Sequence, residues 1–169
     1  MIIRLFFEAG REFTEMSEKY FQNYYPEYYS HCYGCGRLNE KGMHIKSYWD
    51  GDEGVCRFTP APHQSGGLPG NAYGGLIASL IDCHCAGTAA AAKQKSEGFE
   101  LGERPLPRFV TASLKVDYVK PTPMGVELEI RARVLEITNR KVVLSAFVTA
   151  GGVTTAEGKA IMVQSPENL

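Results

Sequence analysis

The chain lacks an excess of either charge: 18 lysines and arginines stand against 19 aspartates and glutamates, a formal net charge of -1 over 169 residues. Without a global basic field there is no electrostatic footprint for nucleic acid or for an anionic membrane surface, and neither is expected as a partner. No apolar run stands out as long enough to span a bilayer. At the N-terminus, MIIRLFF leads straight into EAGREFTEMSEK, where a secretory signal would carry a longer apolar stretch and a small-residue cleavage site. Five cysteines are an odd number for a disulfide framework, so they read as reduced thiols and the expected location is cytoplasmic. Internal repeats and low-complexity tracts are missing too, which excludes solenoids and disordered linkers. What is there, 44% apolar and 22% charged residues, is ordinary globular composition, with a core of reasonable size at this length.

The character of the chain changes three times. In residues 1 to 30, Phe6, Phe7, Phe13, Met16, Tyr20 and Tyr24 fall near helical spacing among Glu, Arg and Lys, which predicts an amphipathic helical extension ending near Pro26. Residues 31 to 169 form the main domain. MHIKSYW and GVCRFT predict two short strands joined by turn residues, and a Pro- and Gly-rich loop, PAPHQSGGLPGN, follows. Residues 74 to 95 are alanine-rich and apolar on most sides, so they predict a long helix that something must wrap around. The remaining sequence supplies the wrapper. From 110 to 118 the even positions are Val, Ala, Leu, Val and Tyr with polar residues between them, and the same two-residue period recurs at 126 to 134, 142 to 150 and 156 to 162. The last three segments predict a meander, and the whole predicts an α+β domain with an antiparallel sheet curled around one helix.

One carboxylate, Asp82, interrupts the apolar helix in GNAYGGLIASLIDCHCAG. Its structural explanation is a bond to neighbouring backbone or to a hydroxyl such as Ser79 or Thr88. The functional one rests on its surroundings: Gly74-Gly75 lie at the helix start, where N–H groups lack intrahelical acceptors and the dipole favours negative charge. Such a start can hold a developing oxyanion.

The order of elements, together with Gly74-Gly75, the spacing to Asp82, and Asp117-Tyr118-Val119-Lys120-Pro121 followed by Gly125, resembles the hotdog-fold acyl-CoA thioesterases, in particular the phenylacetyl-CoA thioesterase-like branch. The leader CYGCGRLNEKGM resembles a Cys-x-x-Cys-Gly segment of many members, and the resemblance covers roughly residues 32 to 163. Two positions depart from the family: Tyr73 stands where a histidine is usual, and Gly67 where some members carry asparagine, with Asn71 as a possible substitute. The resemblance implies a hotdog fold and hydrolysis of an acyl-CoA to the free acid and coenzyme A.

The implied catalytic residues are Asp82 as base or nucleophile, Gly74 as oxyanion donor and Thr111 as a hydroxyl that orients water or the aspartate. Asn71, Tyr73, Gly75 and Ser113 are assigned to substrate binding. Arg140 and Lys141 in a hairpin turn, with Arg108, are the cations expected for the coenzyme A phosphates. Gly74 and Asp82 are separated by about 12 Å along a helix, too far to meet one carbonyl, so the site is expected to form between the antiparallel helices of a homodimer, or of a dimer of dimers. A non-catalytic acyl-CoA binding or sensing protein is the alternative function. Zinc is weighed and not assigned. Cys32-x-x-Cys35, His31, His44 and Cys83-His84-Cys85 contain enough ligand types, but a second Cys-x-x-Cys pair is missing and adjacent helical residues diverge. No metal or other cofactor is expected.

Overall fold

The alternating segments and the short SYWD run join into one six-stranded antiparallel sheet in a computed structural model that describes residues 20–166. The strands are β1 (Ser47–Asp50), β2 (Glu53–Phe58), β3 (Phe109–Tyr118), β4 (Leu128–Ile137), β5 (Lys141–Ala150) and β6 (Val153–Gln164), in the order β1-β2-β4-β5-β6-β3. The chain between β2 and β3 contains the long helix α1 (Gly74–Ser96). The β4-β5-β6 meander follows the sequence reading, and β3 returns to the outer edge of β6.

The core lies between the sheet and α1. Leu128, Ile130, Ala132, Val142, Leu144, Val148, Ala156, Ala160 and Met162 face Leu76, Ile77, Leu80, Ile81, Cys85 and Ala89. By length and composition α1 is apolar enough to cross a bilayer, contrary to the sequence reading, yet most of it is buried inside the protein. The sheet provides the apolar surround that its composition demands. One stripe stays open: Gly74, Gly75, Ala78, Ser79, Asp82 and Ala86 are only half-buried, at helical spacing along one face.

Close approach of sheet and helix is set by Gly54, whose place on β2 faces α1. A Cβ there would lie 2.3 Å from Thr88 Oγ1. Gly54→Ala is therefore expected to destabilise the fold by about 1–3 kcal/mol through overpacking, and by clearly less in a Thr88→Ala background. Urea unfolding of the two single variants and the double variant checks this; costs that simply add would show that the glycine is not there for Thr88.

Residues 1–19 of the expected N-terminal helix lie outside the described residues. Its remainder is not an α-helix but two 3-10 turns, Phe21–Tyr24 and Glu27–Tyr29, on either side of Pro26. Tertiary packing overrides the helical spacing here. Phe21 is fully buried with its ring edge-on to Trp49, and Gln22 bonds both the Ser47 hydroxyl (3.1 Å) and the Ser47 N–H (2.9 Å). Ser47 Oγ in turn lies 2.9 Å from His84 Nδ1. Burial pushes the His84 pKa down to about 4, against the Gly54 backbone, which favours protonation.

The alternation in β3 also departs from the sequence reading. Its register on β6 runs Thr111↔Met162 and then Ser113↔Ile161, so Ala112 is an extra residue, a β-bulge. The bulge shifts the pleat by one: Phe109 and Thr111 face the helix before it, Leu114 and Val116 after it, while Val110 and Ala112 are exposed.

Candidate active site

The bulge in β3 aims Thr111 at the open stripe of α1. There the Thr111 hydroxyl donates to Asp82 Oδ1, while also lying 3.4 Å from Met162 Sδ. The carboxylate is half-buried, not enclosed as its apolar neighbours in sequence suggested. Neither hydroxyl offered by a structural explanation reaches it: Ser79 Oγ bonds the Gly75 carbonyl at 2.8 Å and Thr88 Oγ1 the His84 carbonyl at 2.9 Å, each one turn back along the helix. The second carboxylate oxygen has no hydrogen-bond partner among the described residues.

Asp82 and Thr111 open into a cleft of about 370 Å³. Tyr28, Tyr29, His31 and Cys32 come to it from the leader, and Arg108 and Phe109 from the approach to β3. Tyr29 is fixed by a hydrogen bond from its hydroxyl to the Leu106 carbonyl. Arg108 also lines a second cavity of about 550 Å³ that adjoins this one, and its guanidinium has no ion-pair partner among the described residues. The assigned cations Arg140 and Lys141 line neither cavity. Arg140 donates to the Gln164 carbonyl at 3.1 Å, and the Lys141 ammonium is held 3.0 Å from Glu136.

The helix start is built elsewhere. Leu76 is the first residue of α1 whose N–H bonds back, to the Tyr73 carbonyl at 3.0 Å, so the N–H groups of Gly74 and Gly75 precede the helical ladder. Tyr118 at the far end of β3 donates to the Gly74 carbonyl at 2.8 Å, a contact the sequence did not suggest. The Tyr73 ring folds over Gly75, where a Cβ would lie 2.4 Å from it. Asn71 is bridged to Pro123 just ahead of the helix. Ser113 falls on the outer face of β3, beside Lys115 and Asp117 and away from α1. Within one protomer the candidate residues thus form two groups at opposite ends of β3: Asp82 with Thr111, and Gly74 with Asn71, Tyr73 and Gly75.

A third group gathers behind the first. Cys32 and Cys35 of the leader converge on Cys83 of the helix, whereas Cys85 and His84 face the core. Hydrogen bonds from Cys35 and Cys83, with those from the Cys35 and Gly34 backbone, hold the Cys32 thiol well below the ordinary range, burial opposing; its own hydrogen bond to Cys32 pushes Cys35 up to about 12. The spacing argument that adjacent helical residues diverge holds for residues 83 to 85, but it could not show that the leader would come to Cys83.

A family model, the thioesterase superfamily, matches residues 69–157, from the loop before α1 into β6. The chain belongs to the thioesterase superfamily. The match takes in every residue assigned above to catalysis or substrate binding and stops short of the cysteine leader. A Shewanella loihica thioesterase superfamily protein of known structure is similar at 43% identity and a TM-score of 0.63, over 82% of this chain and 97% of that one. The acyl-coenzyme A thioesterase THEM4 of Xenopus laevis is 37% identical over 94 residues, 56% of this chain and 36% of the frog protein. This chain thus matches only about a third of that relative's length. The PaaI protein of the E. coli phenylacetic acid degradation operon shares the fold at 18% identity, with a TM-score of 0.59 over 73% of this chain and 81% of that one. In this superfamily member the sheet around one long helix is the hotdog fold.

Proposed function

We propose that the protein hydrolyses an acyl-CoA to the free acid and coenzyme A as a homodimer, with each of two sites shared between the chains. One observation carries this reading: a hydroxyl-oriented, half-buried carboxylate opens into a cleft, while the helix-start N–H groups that would complete the chemistry lie at the other end of the same edge strand. Among the described residues β3 pairs only with β6 and its other edge is open over ten residues, with Val110, Ala112 and Tyr118 exposed. A long unpaired edge is an invitation to a second strand. Antiparallel pairing of β3 with its twofold copy would run the two α1 helices in opposite directions and bring the start of one toward the middle of the other.

In such a site the partner's Gly74 N–H donates a hydrogen bond to the thioester oxygen as it becomes an oxyanion. Asp82, aligned by Thr111, either removes a proton from the attacking water or attacks the carbonyl carbon itself. Collapse of the tetrahedral intermediate breaks the carbon–sulfur bond and releases coenzyme A as the thiol once protonated. On the first route the acid forms in that step; on the second the acyl group is left as an anhydride on Asp82, and water then hydrolyses it to the free acid and restores the carboxylate. Arg108, which has no ion-pair partner among the described residues and lines the cleft, is placed to receive the coenzyme A phosphates in place of Arg140 and Lys141. The 37% identity to an acyl-coenzyme A thioesterase over 94 residues supports the same chemistry.

The test is a panel of short, long and aromatic acyl-CoAs, with free coenzyme A followed by chromatography because thiol dyes would also react with the cysteines. Turnover of at least one is the expected result. Tight binding of acyl-CoA with no turnover across the panel would instead make the protein a non-catalytic binder.

A further inference from the structure

The hydrolytic reading leaves unused the sulfur cluster in which the leader meets the central helix. The Sγ atoms of Cys32, Cys35 and Cys83 all lie within 4.8 Å of one another, and Cys32 Sγ is 3.6 Å from Cys83 Sγ. Sulfurs at the corners of a zinc tetrahedron with bonds of about 2.3 Å stand about 3.8 Å apart, so these thiols already approach the separation that a metal would impose.

The backbone around them is shaped for the same end. The Gly36 N–H closes the Cys-x-x-Cys turn onto the Cys32 carbonyl at 2.8 Å. Two glycines make room. A Cβ on Gly36 would lie 2.4 Å from the Cys32 nitrogen, and one on Gly34 would lie 2.3 Å from Cys83 Sγ. Gly34 is therefore what admits the helix sulfur to the loop. A dithiol switch would need two sulfurs and leave the third unexplained; two sulfurs of a Cys-x-x-Cys turn converging with one from the helix fit a metal.

We propose that Cys32, Cys35 and Cys83 bind one zinc ion, with the fourth coordination position on the side of the Asp82 cleft and filled by water or by His31. Cys32 is the exposed member of the cluster, and His31 beside it lines that cleft. Binding displaces the thiol protons into solvent and leaves three thiolate ligands. The ion would staple the leader to α1 one residue from Asp82, fixing the wall of the cleft independently of whether the protein hydrolyses thioesters.

The test uses the full-length reduced protein, stripped of metal and titrated anaerobically with Co²⁺ and then Zn²⁺. Thiolate-to-cobalt charge-transfer absorption saturating at one equivalent per chain, bleached by Zn²⁺, and a rise in Tm with Zn²⁺ are expected. Cys83→Ser should weaken binding by more than about 100-fold, and Cys32→Ser, at an exposed position, should do so in a protein whose circular dichroism is unchanged. Cys85→Ser should leave the spectrum as it is. Absence of the charge-transfer band, its survival in both Cys32→Ser and Cys83→Ser, or a Cys32–Cys83 disulfide as the only product of handling the protein with and without metal would overturn the proposal.

Discussion

Asp82→Asn should lower acyl-CoA turnover by about 10²–10⁴-fold and leave the fold intact. The amide keeps the size and shape of the carboxylate and still offers an oxygen to the Thr111 hydroxyl, the one side-chain hydrogen bond of Asp82 among the described residues. Since the side chain is half-buried on the open stripe of α1, no core contact depends on its charge. What the amide lacks is the ability to take a proton from water or to attack a carbonyl carbon. The loss should therefore fall on kcat, with little change in acyl-CoA affinity measured by equilibrium binding. A variant within about threefold of the parent protein would remove Asp82 from the chemistry.

Gly74→Pro should cost about 10²–10³-fold in kcat, the usual effect of removing one oxyanion donor. Proline is suited to this position on every count but the one tested. The first helical position has no intrahelical acceptor for its N–H, so no ladder bond is lost. Tyr73 before it has φ −61° and ψ 130°, the extended conformation that proline demands of its predecessor. The three atoms nearest to a Cβ at Gly74 all belong to Tyr118, at an ordinary 3.6 Å, and the carbonyl that accepts the Tyr118 hydroxyl remains. The substitution thus deletes a single donor from a helix that should otherwise be at least as stable. Turnover close to that of the parent, in a protein of unchanged Tm, would mean that the oxyanion is held by some other group.

Much of this architecture is legible in the sequence because its two periods are so cleanly written. Glu127, Glu129, Arg131 and Arg133 alternate with Leu128, Ile130 and Ala132, and the structure buries the second set fully while the first pairs with Arg57, Glu53 and Asp50 across the outer face. A helix of alanine, leucine and isoleucine leaves little doubt that it is enclosed. The bulge at Ala112 had no such mark. No glycine or proline signals it, and the pleat shift it produces is what turns Thr111, a polar residue in an apparently outward phase, toward Asp82.

The leader was the least legible part. Tyr20 and Tyr24 stand at helical spacing, but Phe21 and Gln22 find buried partners in Trp49, Ser47 and the helix, and these long-range contacts settle the backbone into short turns. The same kind of distance hid which of the three candidate cations reaches the cleft and which of the candidate metal ligands converge. Arg108 precedes a strand and Arg140 follows one, and only the return of β3 to the sheet edge puts the former, not the latter, at the cleft. Cys32 and Cys35 likewise stand far from Cys83 in sequence, and only the fold brings the three together.

The central claim is that each site draws on two chains, and mixing two inactive variants tests it most directly. Asp82→Asn and Gly74→Pro chains, carrying different tags and co-expressed, yield a hybrid that can be isolated on both tags. One of its two sites would hold both substitutions and the other neither, so the hybrid should regain about half the turnover of the parent dimer although each variant alone is nearly inactive. A hybrid as inactive as its parents would contradict the account and place Asp82 and its oxyanion donor within a single chain.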